Sequence, residues 1–576
     1  SNIHPLLRFI HDRNIQPSGW IEFTYKKSNV LQEKKQIYNC NKQYDDIPYE
    51  SINYHEYDEI SRYVIASFDI ECDSSHGDFP SAKKDFKKLS MYIVDEYLSK
   101  GLLYEEKSLF DYIKDILIKS ICSDGIIKKD DEEYITYVSN GPLKEESIIK
   151  SFLDEKQEGD IDIGEKSYDM NKKFIELQTA LKNNKRNDAI EILNRKKNKP
   201  GILSYLKNDK GEKLKVKGDP IIQIGTVFYT YGKPDSYDRH ILVIGPQPNM
   251  KAKDICSKLE NIKVIRYDSE LDLLQGWVEL MEKHNPDYIT GYNIFGFDFD
   301  YMIGRVSELY DCKPECKFNM FSKSMDHCYN CPTNRFYNLG RLNKKNDYHI
   351  YKNNKCKRCK SIVKKLGGGN DKEEDESTYS HDTLKYIHMD GRIIFDVQNE
   401  VKKGYSLDSY KLDNVAANFM RGKIKSIRNI YNEDVNNYLI FINTDRIGNL
   451  KNGDYISFIV KNNYGDMKYD NGHKFMILNI YHDEKKIILK SDKSLVISKI
   501  LNLETNDILY SEWCLNKDDI SPQELFDKHK WGTGKDRGMI AKYCIMDCEL
   551  CIHLLLMLDF IPNNIGMSNV CKVPQP

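Results

Sequence analysis

No stretch of this chain stays apolar long enough to cross a bilayer. Leu554–Leu558, bounded by His553 and Asp559, falls far short of the roughly 20 residues a membrane helix needs, so no membrane partner is expected. A secretory signal pattern is also missing, and there is no internal repeat to suggest a solenoid or array. Excess positive charge is absent as well. With 86 Lys+Arg against 88 Asp+Glu the net charge is −2, so phosphate binding would rest on local basic patches and not on an overall field. The 576 residues, 40% hydrophobic and 30% charged, describe a water-soluble globular protein with room for more than one core. Abundant Asn, Lys, Ile and Tyr fit an AT-rich genome.

Cysteine is not scarce. Fifteen residues, an odd number without a secretory signal, point to a reducing intracellular compartment. Cys328 and Cys331, then Cys356 and Cys359, have the spacing of two zinc knuckles around a polar Lys/Asn/Tyr-rich stretch. Four thiolates there would bind a structural Zn²⁺ and stabilise an insertion with little core of its own. The alternative is a polar insert with free thiols, beside the flexible LGGGNDKEEDE linker. Cys544, Cys548 and Cys551 recur at helical spacing and read as buried packing residues.

Four acids carry the chemistry: Asp69 and Glu71 in SFDIEC, Asp298 in GYNIFGFD and Asp547 in KYCIMD, with Tyr543 four residues before the last. RYVIASFDIEC reads as a buried strand, whose alternation puts Asp69 and Glu71 on one face. After the strand-like DYITGY, Asn293 to Gly296 read as a turn, and FDFDYMIGRVSEL as a helix with Asp298 in its first turn. GMIAKYCIMDCELCIHLLLML reads as a long apolar helix, with Tyr543 and Asp547 one turn apart on the same side. Taken singly, each is commonplace, since an acid at a helix start is usually a cap. Gathered together, four carboxylates repel unless cations lie between them, and two divalent ions would create a phosphodiester-cleaving site.

In that order, SFDIEC, GYNIFGFD and YCIMD resemble the three exonuclease motifs of family B DNA polymerases. The likeness extends to SNIHPLLRFIHDRNIQPSGWIEF, DPIIQIGTVF, SELDLLQGWVELMEKHNPDYITGYN, LKYIHMDGRIIFDV and YSLDSYKLDNVAANF of polymerase delta-like enzymes. SSHGDFPSAKKDFKKL and EWCLNKDDISPQELF are similar to polymerases of nucleocytoplasmic large DNA viruses. It covers residues 1–80, about 219–310, 378–420 and 510–576.

The resemblance implies an α/β (α+β) fold: an RNase H-like exonuclease domain with a mixed sheet flanked by helices. Its segments are 61–80, 219–310, 378–420 and 511–560, preceded by an N-terminal segment, 1–60. Between them lie a helical basic insertion (81–218), the Cys-rich insertion with its acidic linker (311–377) and a β-rich insertion (421–510). The resemblance further implies two Mg²⁺ or Mn²⁺ ions held by Asp69, Glu71, Asp298 and Asp547. Tyr543 would orient the attacking water, and Asn293 and Phe297 would hold the frayed 3′ end of DNA. Asp300 is not part of the motif and is expected to be exposed. The implied partners are single-stranded 3′ ends, primer–template, the palm and thumb of the same parent protein, and a sliding clamp. For a viral protein the place of action would be the host cytoplasm or nucleus.

The palm motifs of such polymerases are not found. Residues 561–576 look like the entry to a palm, and Tyr464-Gly465-Asp466 lacks a second acid in register. The expectation is therefore the front portion of a replicative polymerase. The alternatives are a free-standing exonuclease of repair or nucleic-acid turnover, or a non-catalytic DNA-binding module.

Overall fold

The computed structural model describes residues 4–32, 39–74, 77–100, 108–122, 135–141, 143–153, 163–196, 199–247, 249–309, 336, 339–341, 350–352, 355–356, 386–387, 389, 391–433, 436–448, 450–463, 465–500, 508–516 and 520–575. They fall into two compact units. One comprises Ser1–Glu71, Ile222–Met302 and Tyr310–Pro576; the other comprises Cys72–Ile221 and Ile303–Leu309.

The first unit is built on a six-stranded sheet. Its strands in chain order are β1 (Val64–Cys72), β2 (Ile221–Thr230), β3 (Asp238–Ile244), β4 (Lys263–Tyr267), β5 (Tyr288–Gly291) and β6 (Ile393–Asp396). The order across the sheet is β4-β3-β2-β1-β5-β6. β3 and β4 are parallel, β2 and β3 antiparallel, and β5 runs parallel to both β1 and β6. β1 and β2 are buried on both faces, as expected of β-branched strands covered by helices above and below. On one side lies α1 (Glu270–His284), capped by Ser269 and ended by Asn285 in the left-handed region; its Trp277 is fully buried and packs 5.0 Å from Phe68.

The other face is covered by α6 (Gly534–Met557). Helix α6 starts at a Thr533–Asp536 capping box, and its Ala541, Cys544, Cys548 and Ile552 share a core with Ile65, Val227, Ile241 and Val243. Gly225 permits this close approach, because a Cβ there would lie 2.7 Å from Cys544 Sγ. The mixed sheet between helical layers agrees with the RNase H-like expectation. The N-terminal ribbon, Trp20–Glu22 paired with Asn53–His55, belongs to the same unit, and Ser18 bonds to Ser568 and Asn569 of α7 (Phe560–Cys571).

Residues 421–516 of the same unit fold into β7 (Arg421–Asn432), β8 (Asn437–Thr444), β9 (Tyr455–Asn462), β10 (Gly465–Lys468), β11 (Phe475–Tyr481), β12 (Lys486–Ser491) and β13 (Ile508–Asn516). The order is β10-β9-β11-β12-β8-β7-β13, and β13 pairs in turn with β9. Six antiparallel strands therefore close into a small barrel, which removes the free edges of an open sheet. Ile440, Ile442, Ile456, Phe458, Phe475, Leu489 and Trp513 fill it.

The second unit is helical: Lys87–Lys100, Leu109–Ser120, Glu145–Leu153, Ile163–Lys182 and Arg186–Leu193. It has its own core, including Ile93, Ile113, Leu117, Ile148, Leu177 and Leu193. Among the described residues, no helix is long and apolar enough to cross a membrane. Cys328, Cys331 and Cys359 lie outside the described residues, and of Cys356 only a place in a short strand, Lys355–Cys356, is described.

Candidate active site

Asp69 and Glu71 sit half-buried on β1, alternating with the buried Phe68, Ile70 and Cys72. Asp298 comes from the other side of β5. After Gly291 the chain turns at Asn293, whose φ is 60°, and Gly296 and Phe297 both donate their N–H to the Asn293 carbonyl. A Cβ at Gly296 would lie 2.3 Å from Asn293 Oδ1, so glycine is what lets the turn close. It delivers the chain into α2 (Asp298–Leu309), with Asp298 at its first position.

A fifth acid holds that turn. Asp396, at the end of β6, accepts N–H bonds from Asn293 (2.9 Å) and Phe295 (3.2 Å). It also caps α3 (Val397–Gly404) through Gln398 N–H. Its role was not read from the sequence. The signal was the acid closing the β-branched run IIFD, which by itself indicates only a helix cap.

Tyr543 and Asp547 are half-buried and one turn apart on α6. Cys544 between them donates its thiol to the Asp69 carbonyl at 3.6 Å. One ligating atom each from Asp69, Glu71 and Cys544 lies within 4.8 Å of the others. Burial, above all, pushes the Cys548 thiol up to about 11, and the charges of Asp69, Asp547 and Asp298 add to it. Acids from β1, α2 and α6 thus act on one point of the helix. Cys544, Cys548 and Cys551 are all buried, as their spacing suggested.

Asp298 is only 2% exposed. Burial is the main cause that raises its carboxyl to about 7; the charges of Asp396 and Asp547 add, and backbone hydrogen bonds at Asp298 and Ile70 oppose. Among the described residues, its Oδ1 is buried without a hydrogen-bond partner. A buried carboxylate oxygen with no donor, facing further carboxylates, fits a cation. Burial and the hydrogen bond with Cys548, with the Asp69 and Glu71 charges adding, raise the Cys544 thiol well above its ordinary value, and the thiol already donates to the Asp69 carbonyl. The remaining donors are oxygens, the set that suits hard divalent ions.

Phe297 is half-buried, its ring 5.2 Å from that of Tyr301. Asp300 is half-buried, not exposed as expected, because the first turn of α2 is packed rather than solvated. Asp466 of the Tyr464-Gly465-Asp466 triplet is exposed on β10 and ion-pairs with Lys461 at 2.9 Å.

Residues 1–97 and 160–415 match the model of the DNA polymerase family B exonuclease domain. The chain belongs to that family. It is 31% identical to a DNA polymerase of Pyramimonas orientalis virus, over all of this chain and 40% of the relative. It is 29% identical to a DNA polymerase of Phaeocystis pouchetii virus, over all of this chain and 52% of the relative. A shorter match, 38% identical over 97 residues, covers 17% of this chain and 9% of the DNA polymerase catalytic subunit of Alcelaphine herpesvirus 1. The chain thus spans about half or less of the viral polymerases it matches.

Proposed function

We propose that this chain is the proofreading portion of a DNA-directed DNA polymerase and removes nucleotides from DNA 3′ ends by metal-dependent hydrolysis. The observation carrying this reading is the convergence of acids from three separate elements, with the buried Asp298 Oδ1 lacking a hydrogen-bond donor among the described residues. Asp69, Glu71, Asp298 and Asp547 would hold two Mg²⁺ or Mn²⁺ ions. When bound, such ions lower the pKa of water and neutralise charge on the phosphate. The phenol of Tyr543 would orient the attacking water; with an ordinary pKa near 10 a tyrosine is a poor base. Water oxygen bonds to phosphorus, the bond to the 3′ oxygen of the preceding nucleotide breaks, and that oxygen takes up a proton as the terminal nucleotide leaves. Asn293 and Phe297 would steady the frayed 3′ end, Phe297 by packing near a base.

The viral relatives, longer and named as DNA polymerases, support a place beside a palm and thumb of the same parent protein. A sliding clamp is the further partner this reading implies. Cys328, Cys331, Cys356 and Cys359 would hold one structural Zn²⁺, and metal analysis of the insert purified without chelators tests that. The reading as a whole is tested with Mg²⁺ and a 5′-labelled strand, presented alone and as a primer with a mismatched 3′ end on a template. The expected result is a ladder shortening from the 3′ end that is lost in Asp69→Ala and Asp298→Ala with circular dichroism unchanged. Near-normal digestion by either variant would refute the roles given to these acids.

A further inference from the structure

A second cluster of ligating side chains lies outside the acid site. Asp238 and His240 stand on β3, and His284 is the last residue of α1. One ligand atom from each lies within 4.8 Å of the others. Nε2 of His240 is 3.1 Å from Asp238 Oδ2, while Nδ1 of His240 and Nε2 of His284 are buried with no hydrogen-bond partner among the described residues. A buried ring nitrogen without a partner is costly, and two such nitrogens, one on each of two neighbouring rings, call for a common partner. Bonds of about 2.0–2.2 Å to a tetrahedral Zn²⁺ separate two ligand atoms by about 3.3–3.6 Å, close to the spacing of His240 and Asp238.

The surroundings suit an ion. The Phe228 ring stacks on His284 at 4.0 Å and meets His240 edge-on at 5.7 Å, which fixes both imidazole planes. The C-terminal end of α1 carries the negative pole of its dipole. Lys263 ion-pairs with Asp238 at 2.7 Å, but its side chain is 63% exposed and is free to move into solvent as an ion enters.

We propose that Asp238, His240 and His284 bind one Zn²⁺ ion, with solvent completing the tetrahedron. Two imidazoles and a carboxylate select a transition metal over the hard ions suited to the acid site. The two sites lie at opposite ends of the sheet. His284 precedes the first residue of β5, whereas the turn leading to Asp298 follows its last, and β1 runs parallel to β5. The ion would pin the end of α1 to β3.

The test uses the whole chain loaded with Co²⁺ as a spectroscopic substitute and then with Zn²⁺. The expected result is a tetrahedral cobalt component free of thiolate charge transfer. It should disappear in His240→Gln and in His284→Gln, with Zn²⁺ affinity at that site falling by at least about tenfold. Asp69→Asn should leave the component in place. Its persistence in both histidine variants would overturn the proposal. Should the variants fold poorly, pulsed EPR of the Cu²⁺-loaded wild-type chain decides: two imidazoles coupled to copper support the site, and fewer than two overturn it.

Discussion

Replacing Asp298 with Asn isolates the electrostatic cost of the acid cluster in the metal-free protein. The carboxyl is fully enclosed and its pKa is raised from 3.8 to about 7. About three units at about 1.4 kcal/mol each give roughly 4 kcal/mol. A raised folded-state pKa favours the folded protein below the unfolded pKa near 4, and this advantage disappears as pH rises toward 7. Wild type and Asp298→Asn should therefore have similar stability at pH 4 in EDTA. At pH 8 the variant should be the more stable by up to about 4 kcal/mol, since it removes a buried charge facing Asp396 and Asp547. Urea denaturation at both pH values measures this. Any cost of the new amide is common to both conditions and cancels in the difference. Saturating Mg²⁺ should restore wild type at pH 8 and stabilise the variant less, since three of the four acids remain. A stability difference that is the same at pH 4 and pH 8 would refute the reasoning.

Tyr543→Phe should slow hydrolysis by about tenfold, roughly 1.4 kcal/mol of barrier, well short of the loss from removing an acid; single-turnover rates equal to those of Asp69→Ala would assign Tyr543 more than orientation. Gly225→Ala puts a methyl 2.7 Å from Cys544 Sγ, and such overpacking costs about 1–3 kcal/mol. It should lower the urea midpoint and also the nuclease rate, because α6 carries Tyr543 and Asp547; an unchanged midpoint would contradict the packing. Glu549 is buried between Arg239 and Lys451, and its carboxyl, despite burial, is held below its ordinary range by them. Glu549→Gln leaves Arg239 without its partner, so a loss of about 3 kcal/mol at pH 7 is expected, read by calorimetry.

The strand bearing Asp69 and Glu71 and the helix bearing Tyr543 and Asp547 were legible because each is a local pattern: alternation in one, apolar 3.6-residue spacing in the other. The β-rich stretch was legible as strands for the same reason. Its closure was not, because the pairing of β13 with β9 joins residues about fifty positions apart in the chain, and no local rule encodes it. Asp396 escaped notice because its importance comes from the Asn293 turn, a partner a hundred residues away. Asp300 was misjudged because spacing from a motif does not report how tightly the first turn of a helix is packed. The Asp238–His240–His284 group was invisible in the same way, since β3 and α1 meet only in the fold.

The barrel has one further consequence. Its first and last strands are neighbours, Arg421 opposite Cys514 and Gly422 opposite Trp513, so the chain leaves its host almost where it entered. The family match ends at residue 415, just ahead of that doorway. A module hung from adjoining ends can be acquired, lengthened or shed by a lineage without displacing the helix that supplies the last acid.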